Sequence, residues 1–227
     1  MSDFNTEDIV EAYLSIRSAR EKLAAFLGCH ALDVVFTSGA TESANTVFHH
    51  AARTLASDTE VWLSAIEHPC LTEAVRGYFP KRHRLIPVTR EGQVDLDWLA
   101  TKLKRKPPGL LAVMAVNNET GVIQPIPAIS QMVHAHGGLL HSDAVQAAGR
   151  LPLDQVAAGA DILTLSAHKI GGPQGIGALV FKSGGVTLED RLIRGGGQEK
   201  GARAGTEGTA LIAGFGAACE VADSVLE

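Results

Sequence analysis

The chain has 227 residues, with 20 basic against 25 acidic side chains and a net charge of −5 at pH 7. That length sustains one large α/β unit with a substantial core. The acidic balance, interrupted only by short basic clusters at 81–84 and 102–106, argues against nucleic acid as a partner.

No apolar run approaches the roughly 18 residues of a membrane span, and the N-terminus MSDFNTEDIVEAY is acidic rather than charged-then-apolar. Neither a membrane nor a secretory leader is expected, and a cytoplasmic location is. Cys29, Cys70 and Cys219 lie far apart and match neither a metal pattern nor a disulfide framework, which fits a reducing compartment.

Residues 6–27 read as a helix ending near Gly28. From residue 33, short apolar runs alternate with longer amphipathic ones. The runs at 34–36, 61–65, 84–88, 110–116, 138–142 and 162–165 read as strands; those at 43–53, 71–79, 96–103, 126–136 and 153–158 read as helices. This is a βαβ rhythm, and it implies a mostly parallel sheet flanked by helices with right-handed crossovers. After Lys169 the rhythm changes: 175–182 reads as a hairpin strand, 195–205 as a glycine-rich loop, and 206–225 as a helix rich in Ala and Gly. The expected organisation is therefore a single large domain of 1–227, with an N-terminal helical segment (1–32), an α/β core (33–205) and a C-terminal helix (206–227).

Open α/β sheets bind ligands at the carboxyl ends of their strands. The segments that follow the strands, 37–43, 67–68, 117–121, 143–146 and 166–169, are all polar. In TSGATES, residues 37–43, small residues admit close backbone approach, and free N–H groups at the opening of a helix favour an anion such as phosphate; an N-capped turn alone would need no ligand.

Asp143 follows the strand GGLLHS, and Lys169 follows the strand DILTLS after one short helix. Adjacent parallel strands would bring the two side chains to one sheet edge, within roughly 10 Å. A lysine beside an apolar run needs either a partner or a chemical task. The pair alone fits two readings. One is a structural salt bridge. The other is pyridoxal phosphate chemistry, in which a lysine forms a Schiff base with the aldehyde and a carboxylate keeps the pyridine nitrogen protonated. The coincidence of parts favours the second: a phosphate cradle at Thr41, an imidazole face at His68, donors toward a ring hydroxyl at Asn118 and Gln146, then Asp143 and Lys169, each at a strand end.

TSGATES, EHPC, VNNETG, HSDAVQ, SAHKIGGPQG and RAGTE, in this order from about residue 17 to the last helix, resemble the ordered motifs of the cysteine desulfurases. These are class-V aminotransferase-like pyridoxal phosphate enzymes of fold-type I, the aspartate aminotransferase-like fold. The resemblance implies roles residue by residue. Lys169 would bind the cofactor covalently and shuttle protons. His68 would stack on the ring and act with Lys169 in catalysis, and Asp143 would pair with the pyridine nitrogen. Asn118 and Gln146 would contact the ring-hydroxyl side. Ala40, Thr41, Ser166 and His168 would hold the phosphate. Thr206 would reach the phosphate of a neighbouring subunit, implying a homodimer with shared active sites.

The activity implied is conversion of L-cysteine to L-alanine, with sulfur passed to an enzyme cysteine as a persulfide and on to an acceptor protein, for iron–sulfur cluster or thio-cofactor assembly. The chain departs from the family in two places. The family's nucleophilic cysteine and an arginine for the substrate carboxylate lie in a C-terminal small domain beyond the last residue here, and an N-terminal Tyr-x-Asp-x-x-Ala-Thr-type motif is missing. A large domain without its small domain is expected, with an apolar face left in solvent. Another class-V aminotransferase, lyase or epimerase, or an inactive cofactor-binding fragment, are the alternatives.

Cys70, two residues after His68 at a helix start, reads either as a substitute nucleophile or as a packing residue. Cys29 and Cys219 read as packing. His49, His50, His134 and His136 fall on helices without metal-ligand spacing, so no metal is expected. GGPQGIG precedes a strand instead of opening a helix after one, which argues against a dinucleotide site.

Overall fold

The computed structural model describes residues 6–153 and 159–226, the side chains of 225 and 226 excepted. The helix expected over 153–158 lies, but for its first residue, outside them. In chain order the main elements are α1 (Thr6–Leu27), β1 (Val34–Thr37), α2 (Ala40–Thr54), β2 (Val61–Ser64), α3 (Pro69–Tyr78), β3 (His83–Ile86) and α4 (Leu96–Leu103). There follow β4 (Leu110–Ala112), α5 (Ile126–His134), β5 (Leu139–Asp143), β6 (Ile162–Ser166), β7 (Gly177–Phe181) and α6 (Thr209–Leu226).

Local sequence explains where several of these start. Helix α4 opens on Asp95, whose carboxylate accepts from the Trp98 N–H at 2.9 Å and so satisfies one of the donors a helix start leaves free. Helix α3 carries Pro69 in its first turn, where the missing N–H costs nothing. Along α2 the apolar residues Ala44, Val47, Phe48 and Ala51 recur at helical spacing, and all four are buried.

The seven strands form one sheet in the order β1-β7-β6-β5-β4-β2-β3. The pairs β2–β3, β2–β4, β4–β5 and β5–β6 are parallel, while β7 runs antiparallel to both β6 and β1. Strand β1 therefore points the same way as β2 to β6, and the carboxyl ends of all six share one edge. The hairpin strand expected over 175–182 is β7, and the Lys169 segment lies in the turn that reverses the chain between β6 and β7.

The strand expected over 110–116 pairs regularly only as far as Ala112. Beyond it the chain stays fastened to β5: the Val113 N–H donates to the His141 carbonyl at 3.0 Å and the Ala115 N–H to the Asp143 carbonyl at 2.8 Å. The last helix begins at Thr209 rather than 206.

Alternate residues of the strands feed two cores. Val34 and Phe36 of β1, Trp62 of β2, Leu111 of β4, Leu140 of β5 and Leu163 and Leu165 of β6 pack with α1, α4, α5 and α6 on one face. Val35, Val61, Leu63, Leu110, Ala112 and Ile162 pack on the other, against α2 and α3. Burying each large side chain contributes roughly 1.5–3 kcal/mol, which fixes the register and hence the residues that reach the strand ends.

The early part of α1 is different: Ile9, Val10, Tyr13 and Leu14 are 50–65% exposed, an apolar face left in solvent. Among the described residues no helix is long and apolar enough to cross a membrane.

Candidate active site

The carboxyl edge of the sheet opens into a cleft of about 610 Å³. It is lined by Ala40 and Thr41 from the start of α2, His68 from the start of α3, Asn118 from the loop after β4, and Asp143 at the end of β5. Gln146 follows Asp143, and Ser166, His168 and Lys169 follow from the end of β6. Every site residue expected from the sequence lies on this one cleft except Thr206. That residue lines a second cavity of about 970 Å³ between the exposed face of α1 and the 197–200 loop segment.

Asp143 and Lys169 meet because β5 and β6 are neighbours, with Asp143 opposite Thr164 in the register. The Asp143 carboxyl is buried, accepts from the Val145 N–H at 2.9 Å, and is pushed up to about 6 by desolvation. Lys169 is half-buried in a short 3₁₀ turn, and its amine has no hydrogen-bond or ion-pair partner among the described residues. The salt-bridge reading of this pair is thereby weakened: the two groups face one cleft without bonding to each other.

The start of α2 is shaped by two glycines. Gly39, the residue before the helix, sits at φ +146°, a backbone region that side chains rarely adopt. Gly177 of β7 lies so close to it that a Cβ there would stand 2.6 Å from Gly39 Cα and 2.5 Å from the Leu165 carbonyl oxygen. This approach lets the Ala40 N–H donate to the Ser166 hydroxyl at 3.0 Å, joining the helix start to the end of β6. Thr41 follows at a position whose amide has no intrahelical acceptor. Helix-start amides and hydroxyls on one rim form an anion cradle.

Several residues with a part in this edge escaped the sequence reading. Met114 contributes to the cleft wall. Beneath it Glu67 is buried: its Oε1 accepts from the Ser64 hydroxyl at 2.5 Å and from the Met114 N–H at 2.8 Å, while Oε2 meets no partner among the described residues. Burial, more than the nearby Asp143 carboxylate, pushes the Glu67 carboxyl up to about 8. The signal was an acidic residue between a strand and a histidine, a place where a carboxylate faces inward only if backbone donors converge on it.

Glu42 also lines the cleft and takes a two-pronged contact from Arg203, at 2.9 and 3.2 Å, as well as the Ser38 N–H at 2.9 Å. Burial acts against it, yet the bonds from Arg203 and Ser38 hold the Glu42 carboxyl below its usual value. Asn117, beside the expected Asn118, is structural: its amide donates to the Ile66 carbonyl, and its oxygen accepts from the Glu119 and Thr120 amides.

Of the cysteines, Cys219 is fully buried in the core and Cys29 packs against it, as expected. Cys70 alone lines the cleft, and burial pushes its thiol up to about 12. That disfavours the nucleophile reading, because the thiol stays protonated.

The family described as Aminotransferase class-V matches residues 6–225. The chain belongs to this family. A cysteine desulfurase of Sinorhizobium fredii is 40% identical over 215 residues, covering 92% of this chain and 54% of that protein. A solved NifS-like protein superposes with a TM-score of 0.89 at 35% identity, covering 96% of this chain and 60% of that one. A structure of SspA in complex with cysteine superposes at 0.85 and 33% identity, covering 96% and 63%. The chain spans about half the length of the curated relatives it matches.

Class-V aminotransferases and cysteine desulfurases depend on pyridoxal phosphate, and the mostly parallel sheet with flanking helices is the fold-type I architecture expected from the sequence. The donor set fits that cofactor: an amine without a partner among the described residues, a buried carboxylate that accepts from one backbone amide, and an anion cradle open onto the same cleft.

Proposed function

We propose that this chain is the pyridoxal phosphate-binding large domain of a cysteine desulfurase, acting on L-cysteine. The observation that carries this reading is the delivery of Lys169 and Asp143 from adjacent parallel strands to one cleft that also holds the anion cradle of α2.

Pyridoxal phosphate supplies an aldehyde for covalent capture and an aromatic ring that accepts electron density. Lys169 would hold the aldehyde through its amine, and the same amine would be placed to take or return a proton in the cleft. Asp143 would keep a proton on the ring nitrogen, and a cation there would favour its charged form against the desolvation that pushes it up to about 6. Ala40, Thr41, Ser166 and His168 would hold the phosphate, His68 would stack on the ring, and Asn118 and Gln146 would contact the ring-hydroxyl side. Thr206, set apart beside the exposed apolar face of α1, is available to a neighbouring copy, which supports a homodimer with shared sites.

The whole reaction would yield L-alanine and pass sulfur through a cysteine persulfide to an acceptor protein. Cys29, Cys70 and Cys219 are all pushed up by burial, to about 11, 12 and 12, so none of them is assigned the sulfur-accepting role. Three unpaired cysteines are consistent with a reducing compartment such as the cytoplasm.

The test has two stages. Purified protein given pyridoxal phosphate is expected to gain a visible absorbance band that Lys169→Ala abolishes; a protein that stays colourless refutes cofactor binding. Release of alanine and sulfide from L-cysteine then separates a desulfurase from other class-V activities.

A further inference from the structure

His68 precedes α3, and its ring is held by one neighbour. The Cys70 N–H donates to Nδ1 at 3.2 Å, and the Cys70 Sγ lies 3.0 Å from the same nitrogen. A backbone amide can only donate, so Nδ1 carries a lone pair, and the imidazole hydrogen resides on Nε2. Nε2 has no hydrogen-bond partner among the described residues, and both His68 and Cys70 line the cleft.

We propose that Cys70 is a positioning residue for His68: its amide and thiol together keep Nδ1 an acceptor, so that the ring presents an N–H donor at Nε2 to the occupant of the cleft. The opposite arrangement, Nδ1–H donating to a thiolate, would set two N–H groups against each other. It would also require an anionic sulfur at a site where burial, with Asp143 and Glu67 adding to it, pushes the thiol up to about 12. A protonated thiol has one hydrogen to give, and Nδ1 is the acceptor at 3.0 Å.

For catalysis the inference rests on the cofactor-site reading above. Given that reading, Nε2–H is the group that hydrogen-bonds or gives a proton to an electron-rich atom in the cleft, and a ring flipped to Nδ1–H would offer a lone pair instead.

The experiment reads the tautomer directly, by ¹⁵N NMR of the histidine-labelled full chain without added cofactor, with the His68 signals assigned by their loss in His68→Gln. Wild type and Cys70→Ser, which keeps a donor at the same place, are expected to show a pyrrole-type Nε2 and a pyridine-type Nδ1. In Cys70→Ala the ratio of Nε2–H to Nδ1–H forms should fall roughly two- to tenfold, the equivalent of one lost hydrogen bond. Equal tautomer ratios in wild type and Cys70→Ala overturn the proposal. A loss of thermal stability common to Ala and Ser with the tautomer unmoved does so too, since it leaves Cys70 a packing residue alone. Failure of the protein to bind pyridoxal phosphate would refute the proposed function without altering this comparison.

Discussion

Glu67→Gln should make the protein more stable near neutral pH and flatten its stability profile on the alkaline side. The Glu67 carboxyl is buried under the cleft and pushed from 4.5 up to about 8. A group whose pKa is raised by folding contributes stability that is full below its unfolded value and lost as pH rises through its folded one. At pH 7 the unfolded carboxyl is ionised and the folded one protonated. Holding that proton costs about 1.4 kcal/mol per unit above 4.5, or about 3.5 kcal/mol at pH 7.

Glutamine keeps the oxygen that accepts from Ser64 and Met114 and removes the ionisation. Two other buried groups titrate lower: Asp143 is pushed up to about 6, and His141, buried with no compensating charge, down to about 4. The window from pH 6.5 to 8 therefore isolates Glu67. Urea unfolding followed by circular dichroism should show wild type losing about 2 kcal/mol relative to Glu67→Gln across that window, 1.5 pH units at about 1.4 kcal/mol each. Parallel stability curves for the two proteins would refute the protonated-carboxyl account.

Two further outcomes follow from the same edge of the sheet. Glu199, 4% exposed, takes two bonds from Arg20 at 2.7 and 2.8 Å and one from the Phe36 N–H at 2.8 Å, so it pins the 195–205 loop to α1 and β1. Glu199→Ala strands a largely buried guanidinium and a backbone donor, and should cost roughly 3–5 kcal/mol in denaturant unfolding, with faster proteolysis in that loop; a loss below about 1 kcal/mol would contradict the clamp. Gly177→Ala, whose Cβ meets backbone at 2.5 and 2.6 Å, should weaken both stability and pyridoxal phosphate binding. Gly175→Ala, whose Cβ has nothing nearer than 3.9 Å, should show only the modest cost of its φ of +81°, about 1 kcal/mol. Equal effects of the two, by thermal unfolding and cofactor titration, would rule out the close-approach argument.

The alternation of apolar runs by itself determined that the sheet is mostly parallel and that its chemistry gathers at one edge. Period-two and period-3.6 burial are properties of local sequence, and right-handed crossovers leave few ways to assemble them. That is why Asp143, Lys169, His68 and the turn at Thr41 could be placed on one cleft from their positions after strands. Lateral order was not legible in the same way. That β7 inserts antiparallel between β6 and β1 depends on which edge the returning chain finds open, a matter of packing between distant segments.

Tertiary structure also decided every feature that needs two remote residues at once. Glu67 is neutral because burial beneath the cleft outweighs the donors from Ser64 and the Met114 amide, Glu42 is charged because Arg203 arrives from 161 residues away, and Thr206 belongs to a different cavity from the rest of the expected site. Burial and charge pairing are set by what lies across a gap in space. A reading along the chain sees only the residues that could take part.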